Sequence, residues 1–211
     1  MGKKAEPAVL ASPNIRLAGE VGPDMLDRFL EQVGKAGADD PLVVEVTTLG
    51  GDAEIGRRLA LEIRLLCDAG RKVMFLGKTV VYSAGITIMA AVPKADRWLT
   101  HDTLLLVHGR KLIKTIEFDG NLRTAEMQAQ RLLAEAQTGI VAEDEGFAEL
   151  AKGSELTEHQ LRERALCEWY LTAAEALEHG LVAGLYGPRP PASKDGKAKG
   201  ATGVGGVRRL R

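Results

Sequence analysis

Val80-Val81-Tyr82-Ser83-Ala84-Gly85 is the stretch on which the reading of this chain turns. The β-branched pair at 80–81 suits a strand. The small residues after Ser83 open a segment that reads as a short helix, Ala84 to Ala91, stopped by Pro93. Ser83 therefore falls at a strand-to-helix turn. Downstream, the apolar run Leu104-Leu105-Leu106-Val107 ends at His108. Upstream, another apolar run closes on Leu49-Gly50-Gly51-Asp52, where a second helix opens. A serine at such a turn, a histidine at a strand end and a Gly-Gly turn supply a nucleophile, a base and oxyanion donors. The set points to serine hydrolase chemistry if the two strand ends lie side by side.

The flanking sequence predicts an α/β fold. Ile15 to Ala18 reads as a first strand. Pro23 suits the first position of a helix whose apolar face is Leu26, Phe29, Leu30 and Val33. Leu42 to Val46 is apolar except for Glu45, as expected of a strand covered on both faces. Asp52 is the expected N-cap of a helix carrying Ile55, Leu59, Ile63 and Leu66, ended by Gly70. Strands are expected at 72–76, 79–82, 97–99 and 103–107. This alternation predicts a mainly parallel sheet with crossover helices. Asn121 to Ala151 reads as one long helix, beyond the usual globular length, whose apolar stripe calls for a partner. Thr157 with Gln160, and Thr172 with Glu175, have the spacing of capping boxes. Gly180 ends the second of these helices, and Leu181-Val182 closes the fold.

The 211 residues suggest one domain over 14–186, a flexible lead over 1–13 and a disordered basic tail over 187–211, where large apolar residues nearly vanish. A net charge of −1 gives no bias toward nucleic acid or an anionic membrane, and 4% aromatic residues argues against a base-stacking platform. Cys67 and Cys167 have no CxxC neighbour, so no metal cluster of usual spacing is expected. The first residues lack the apolar stretch of a signal peptide, and no apolar run approaches a membrane span. The expectation is a cytoplasmic protein without membrane or nucleic-acid partners, and without metal or organic cofactor. HExxH, GxxxxGK[ST] and a GxGxxG placed after a strand are absent, and Val81 departs from the GxSxG elbow.

Each candidate also has a plainer role. Small residues at a strand-helix junction serve close packing, a histidine after an apolar run often just bonds a neighbour, and Gly-Gly is a common tight turn. A serine hydroxyl needs a base, and an imidazole titrating near neutrality suits that task. His101 lies in a turn, His159 on a polar helix and His179 before a helix end, so His108 is the best base. Glu168, an acid in a locally apolar segment, is the first candidate for the group that orients the base, ahead of Asp102, Glu158 and Glu163.

Taken together, these residues resemble the proteolytic subunit of the Clp protease, of the ClpP/crotonase fold, from about Asn14 to Leu185. Ile15-Arg16-Leu17-Ala18-Gly19-Glu20-Val21 looks like the first strand of that family. Val44 to Gly51 looks like its strand leading into a Ser-Pro-Gly-Gly turn. Tyr82-Ser83-Ala84-Gly85 matches its Ala-Ser-Met-Gly segment, Leu106-Val107-His108 its Met-Ile-His, and Tyr170 to Val182 its Phe-Leu-Ser-Ala-x-Glu-Ala-x-x-Tyr-Gly-Leu-Val. The order and spacing of the blocks are more specific than any block alone.

The resemblance implies a spiral of β-β-α units with a projecting handle helix, the segment from Asn121. It implies Ser83 as nucleophile, His108 as base and Glu168 as the acid, with the N–H groups of Gly51 and Ala84 as the oxyanion hole. Gly50 and Gly109 would contact substrate. The implied reaction is serine endopeptidase cleavage of a peptide or unfolded protein inside a homo-oligomer of stacked rings, with an ATP-dependent unfoldase as a possible partner. Leu49 replaces the family's Pro, Gly109-Arg110 replaces Gln-Pro, and Glu168 stands where Asp is usual. Two rivals stay open: a catalytically weak structural ring subunit, and a crotonase-like acyl-CoA lyase or isomerase, which needs no Ser–His pair.

Overall fold

The computed structural model describes residues 5–189. Seven strands form one sheet: β1 (Ile15–Ala18), β2 (Leu42–Thr48), β3 (Val73–Tyr82), β4 (Arg97–Thr100), β5 (Leu104–Val107), β6 (Trp169–Thr172) and β7 (Gly184–Tyr186). The order is β1-β2-β3-β4-β7, with β5 pairing β3 and β6. Every pair is parallel except β5 with β6. Six helices cover or leave this sheet: α1 (Pro23–Lys35), α2 (Ala53–Asp68), α3 (Ala84–Ala90), α4 (Leu122–Ala151), α5 (Glu158–Ala165) and α6 (Ala173–Glu178).

Local chemistry accounts for the helix starts. Asp52 caps α2 by accepting from the N–H groups of Glu54 and Ile55. Thr157 and Gln160 form the expected capping box on α5, and Thr172 and Glu175 the one on α6. The Glu175 carboxyl is held below its ordinary range, chiefly by the Thr172 backbone N–H and then by its hydroxyl. In α1 the buried face is Met25 and Phe29, with Leu26 and Val33 packed beside them, while the expected core residue Leu30 is exposed. The apolar stripe thus turns a little toward Met25.

The segments expected as two strands, 72–76 and 79–82, form the single strand β3. Its two halves nevertheless pair differently. Phe75–Gly77 pairs with β4, whereas Val80–Tyr82 pairs with β5. Between them the register against β2 shifts and Thr79 takes φ +60°. The sequence break marks a bulge that redirects the strand rather than ends it. This bend brings the C-terminal end of β3 alongside β5.

The main core packs Phe29, Leu59, Ile63, Phe75, Met89 and their neighbours between the sheet and α1–α3. A smaller cluster contains Leu10, Val43, Met74, Leu76 and Trp98. Leu10 belongs to a 3-10 turn, Ala8–Ala11, and is fully buried, so this part of the expected flexible lead is anchored. Most of the expected basic tail, from 190 onward, lies outside the described residues.

Arg97 pins the helices together. It is 2% exposed and donates to the carbonyls of Val92 (2.7 Å), Ala90 (2.8 Å), Leu181 (3.4 Å) and Glu149 (3.4 Å). Burial pushes its guanidinium down to about 10, against the opposing pull of Glu149, so it remains a cation at neutral pH. From this anchor α4 leads away from the sheet: only Phe147 and Leu150 of its 30 residues are buried. Among the described residues no helix is long and apolar enough to cross a membrane, and no group of three or more His, Cys, Asp or Glu side chains could hold a metal.

Candidate active site

Strand pairing meets the condition that the sequence left open. Tyr82 lies in register with Leu106, and the Ser83 N–H donates to the Leu106 carbonyl at 2.9 Å. Ser83 directly follows the last residue of β3, and His108 lies two residues beyond Leu106. Ser83 sits at φ +55°, ψ −117°, directly before α3. A non-glycine residue in that region carries roughly 1–3 kcal/mol of strain, which the surrounding hydrogen bonds hold in place. Both residues line one cavity of about 710 Å³, together with Gly51, Ala84 and Gly109. That size suits a small-molecule or peptide side-chain site.

The His108 ring makes a local bond. Its Nδ1 lies 2.6 Å from the Gly109 carbonyl. A carbonyl can only accept, so Nδ1 carries the proton and Nε2 keeps the basic lone pair.

The Gly-Gly turn is shaped by close backbone approach. Gly50 and Gly51 have φ +104° and +148°. A Cβ on Gly51 would fall 2.4 Å from the Val21 carbonyl oxygen, and one on Gly50 would fall 2.7 Å from the Ser83 Cβ. Val21 N–H donates to the Gly50 carbonyl at 2.9 Å, and Asp52 N–H to the Val21 carbonyl at 2.8 Å. Among the described residues no protein acceptor takes the N–H of Gly51 or of Ala84. Gly50 itself lies outside the cavity of Ser83. It lines a neighbouring depression with Gly19, Thr47 and Leu49, and its place in the site is as backing for Ser83.

Glu168 is not joined to His108 by a hydrogen bond. Its carboxylate accepts from Lys111 Nζ at 2.7 Å. That bond, then the Lys111 charge, holds the Glu168 carboxyl below its ordinary range, with a smaller pull from His108. The same pair raises the Lys111 ammonium. Both side chains are about half exposed, so solvent screens the pair and it adds little to stability. Of the lesser acids, Asp102 is in an exposed turn, Glu158 is exposed at the start of α5, and Glu163 pairs with His159.

Several charged residues of the site were not anticipated. The Glu143 carboxylate, from α4, accepts the backbone N–H of Arg110. The Arg110 guanidinium pairs with Glu54 of α2, while Lys111 holds Glu168. Burial pushes the Glu54 carboxyl up, but Arg110 and Arg57 together outweigh it and leave it lowered. Across the cavity, Arg57 reaches Glu145 (3.3 Å) and Arg64 reaches Glu149 (2.6 Å), lacing α2 to α4. These contacts join residues 33 to 88 positions apart, and no local motif marks them.

Comparison with known proteins agrees with this architecture. No family model matches the chain. The ATP-dependent Clp protease proteolytic subunit 2 of Treponema pallidum (strain Nichols) is 25% identical over 187 residues, spanning 85% of each chain. Among solved structures, a mutant of ClpP1 from Listeria monocytogenes superposes with a TM-score of 0.67 at 19% identity, covering 86% of this chain and 95% of that one. The fold is that of ClpP.

Proposed function

We propose that this chain is a ClpP-like serine endopeptidase. The observation that supports the reading best is the β3–β5 pairing, which sets Ser83 beside the strand that His108 follows, on one cavity with Gly51 and Ala84. Ser83 Oγ attacks the peptide carbonyl carbon while His108 Nε2 takes its proton. The carbonyl oxygen becomes an oxyanion, held by the N–H groups of Gly51 and Ala84. The C–N bond then breaks, and the imidazolium gives its proton to the leaving amine. Water, deprotonated by His108, attacks the acyl-serine and restores the free hydroxyl. Glu168 adds electrostatic attraction for the imidazolium through space, and Gly109 edges the substrate cavity.

The likeness to a proteolytic subunit supports peptide or unfolded-protein substrates, and an ATP-dependent unfoldase as a partner of the assembly. The apolar face of α4, with Leu122, Met127, Leu133, Ile140 and Val141 exposed, supports a homo-oligomer in which second copies cover it, as stacked rings would. A cytoplasmic location fits the chemistry expected of such a partner.

Intact-mass spectrometry with a fluorophosphonate serine-hydrolase probe tests the reading. One adduct on the wild type, lost in Ser83→Ala and reduced at least a hundredfold in rate in His108→Ala, is the expected outcome. A folded wild type that takes no adduct, or a Ser83→Ala variant that still does, refutes it.

A further inference from the structure

We infer that Glu143 is the acid that positions His108, acting through the peptide group between Gly109 and Arg110; the inference rests on the serine-peptidase reading above. That peptide is trans, as are all the described peptide bonds. In a trans peptide the C=O and N–H point to opposite edges of one plane. The C=O of Gly109 faces His108 Nδ1 at 2.6 Å, and the N–H of Arg110 meets the Glu143 carboxylate. One rigid group therefore sits between a carboxylate and the imidazole. Negative charge at the N–H edge polarises the amide, makes its carbonyl a stronger acceptor, and favours the charged form of the ring bound to it.

Gly109 leaves room for the arrangement, since a Cβ there would lie 3.0 Å from Glu143 Oε2, tighter than ordinary contact by a few tenths of an ångström. Glu143 is half-buried on α4, next to the helix end that Arg97 anchors, so it approaches from a fixed element. The other charged groups on this cavity include Lys152 at the end of α4, and Arg64 of α2 paired with Glu149 of α4. Arg110 pairs with Glu54 of α2, Arg57 of α2 with Glu54 and Glu145, and Lys111 with Glu168 ahead of β6. Glu143 thus supplies through one peptide the orientation and charge that an acid bonded to the ring would supply directly.

The test is the pH dependence of fluorophosphonate labelling in wild type, Glu143→Gln, Glu143→Asp and Glu168→Gln. Glutamine still accepts the Arg110 N–H but carries no charge. Glu143→Gln is expected to lower the plateau rate about tenfold and move the midpoint of the pH profile down by roughly one pH unit, the scale of a charge one peptide group away. Glu143→Asp restores the midpoint, and Glu168→Gln has the smaller effect. A Glu143→Gln variant with wild-type rate and midpoint overturns the inference. So does a fall in rate with no movement of the midpoint, which marks a merely structural role, and so does a larger effect of Glu168→Gln. In each of these cases a labelled wild type leaves the serine-peptidase reading standing. A folded wild type that takes no label overturns both.

Discussion

Gly50→Ala should disarm Ser83 without dismantling the fold, and the structure gives the scale. The added Cβ meets three atoms of the Tyr82–Ser83 turn: Ser83 Cβ at 2.7 Å, Ser83 Oγ at 3.2 Å and the Tyr82 carbonyl oxygen at 3.3 Å. All three are inside the 3.4 Å at which ordinary contact begins. The neighbour is not a flexible side-chain end, because Ser83 is tied by its N–H to Leu106 and by its carbonyl to the Ile86 N–H. Gly50 also sits at φ +104°, where a Cβ costs about 1–2 kcal/mol. Strain and overlap together should destabilise the protein by about 2–4 kcal/mol. A shift of Ser83 approaching 1 Å should slow fluorophosphonate labelling about a hundredfold.

Gly70→Ala separates the two effects. Gly70 has φ +86° at the end of α2 and nothing within 4 Å of an added Cβ. It should cost only the strain, about 1–2 kcal/mol, and label at the wild-type rate. Urea denaturation gives the stabilities, and intact mass against time gives the labelling rates. If Gly50→Ala labels within about threefold of Gly70→Ala, the Gly-Gly turn does not set the position of Ser83.

Two further perturbations probe the frame. Arg97→Met leaves the well-bonded carbonyls of Val92 and Ala90 without their donor, and should lower stability by about 3–5 kcal/mol with an unchanged urea slope; a loss below about 1 kcal/mol would refute its role as a pin. Leu133→Glu with Ile140→Glu alters residues 58% and 55% exposed on α4, so each subunit should keep its stability while the assembly seen by sedimentation falls to smaller species. A wild type that sediments as a monomer, or a double variant that keeps its assembly, would refute a second copy on that face.

Elements bounded by local chemistry were legible in the sequence. Asp52, Thr157 and Thr172 announce their helices because an N-cap needs only a side-chain oxygen within three residues of the N–H groups it accepts from. β2 and β5 are legible as apolar runs. β6 was not anticipated, because only Leu171 of its four residues is buried, and its existence depends on antiparallel pairing with β5, some sixty residues earlier by register. The bulge in β3 was visible as a break around Gly77-Lys78, but not the fact that the chain continues through it. That depends on β4 and β5 offering two different edges.

The acid of the site shows the limit of linear reading. Glu168 stood out because an acid in an apolar segment has little local purpose, and because the family that the sequence resembles places an acid there. Glu143 had no such mark. It lies in a long helix with Glu135, Asp144, Glu145 and Glu149, where acids are ordinary surface residues. What distinguishes it is the direction in which one turn of α4 faces the peptide after His108, and that is fixed by Phe147 and Leu150 entering the core and by the Arg97 anchor at the Glu149 carbonyl. Glu in place of Asp at 168 adds one methylene, and the longer arm reaches Lys111. The replacement of Gln-Pro by Gly109-Arg110 is what admits another acid, because proline at 110 would have no N–H to give to Glu143. Under the proposed role of Glu143, the two differences from the pattern that the sequence resembles are coupled: a residue other than proline at 110 provides the donor through which an acid on α4 acts on His108, and position 168 then need not reach the ring.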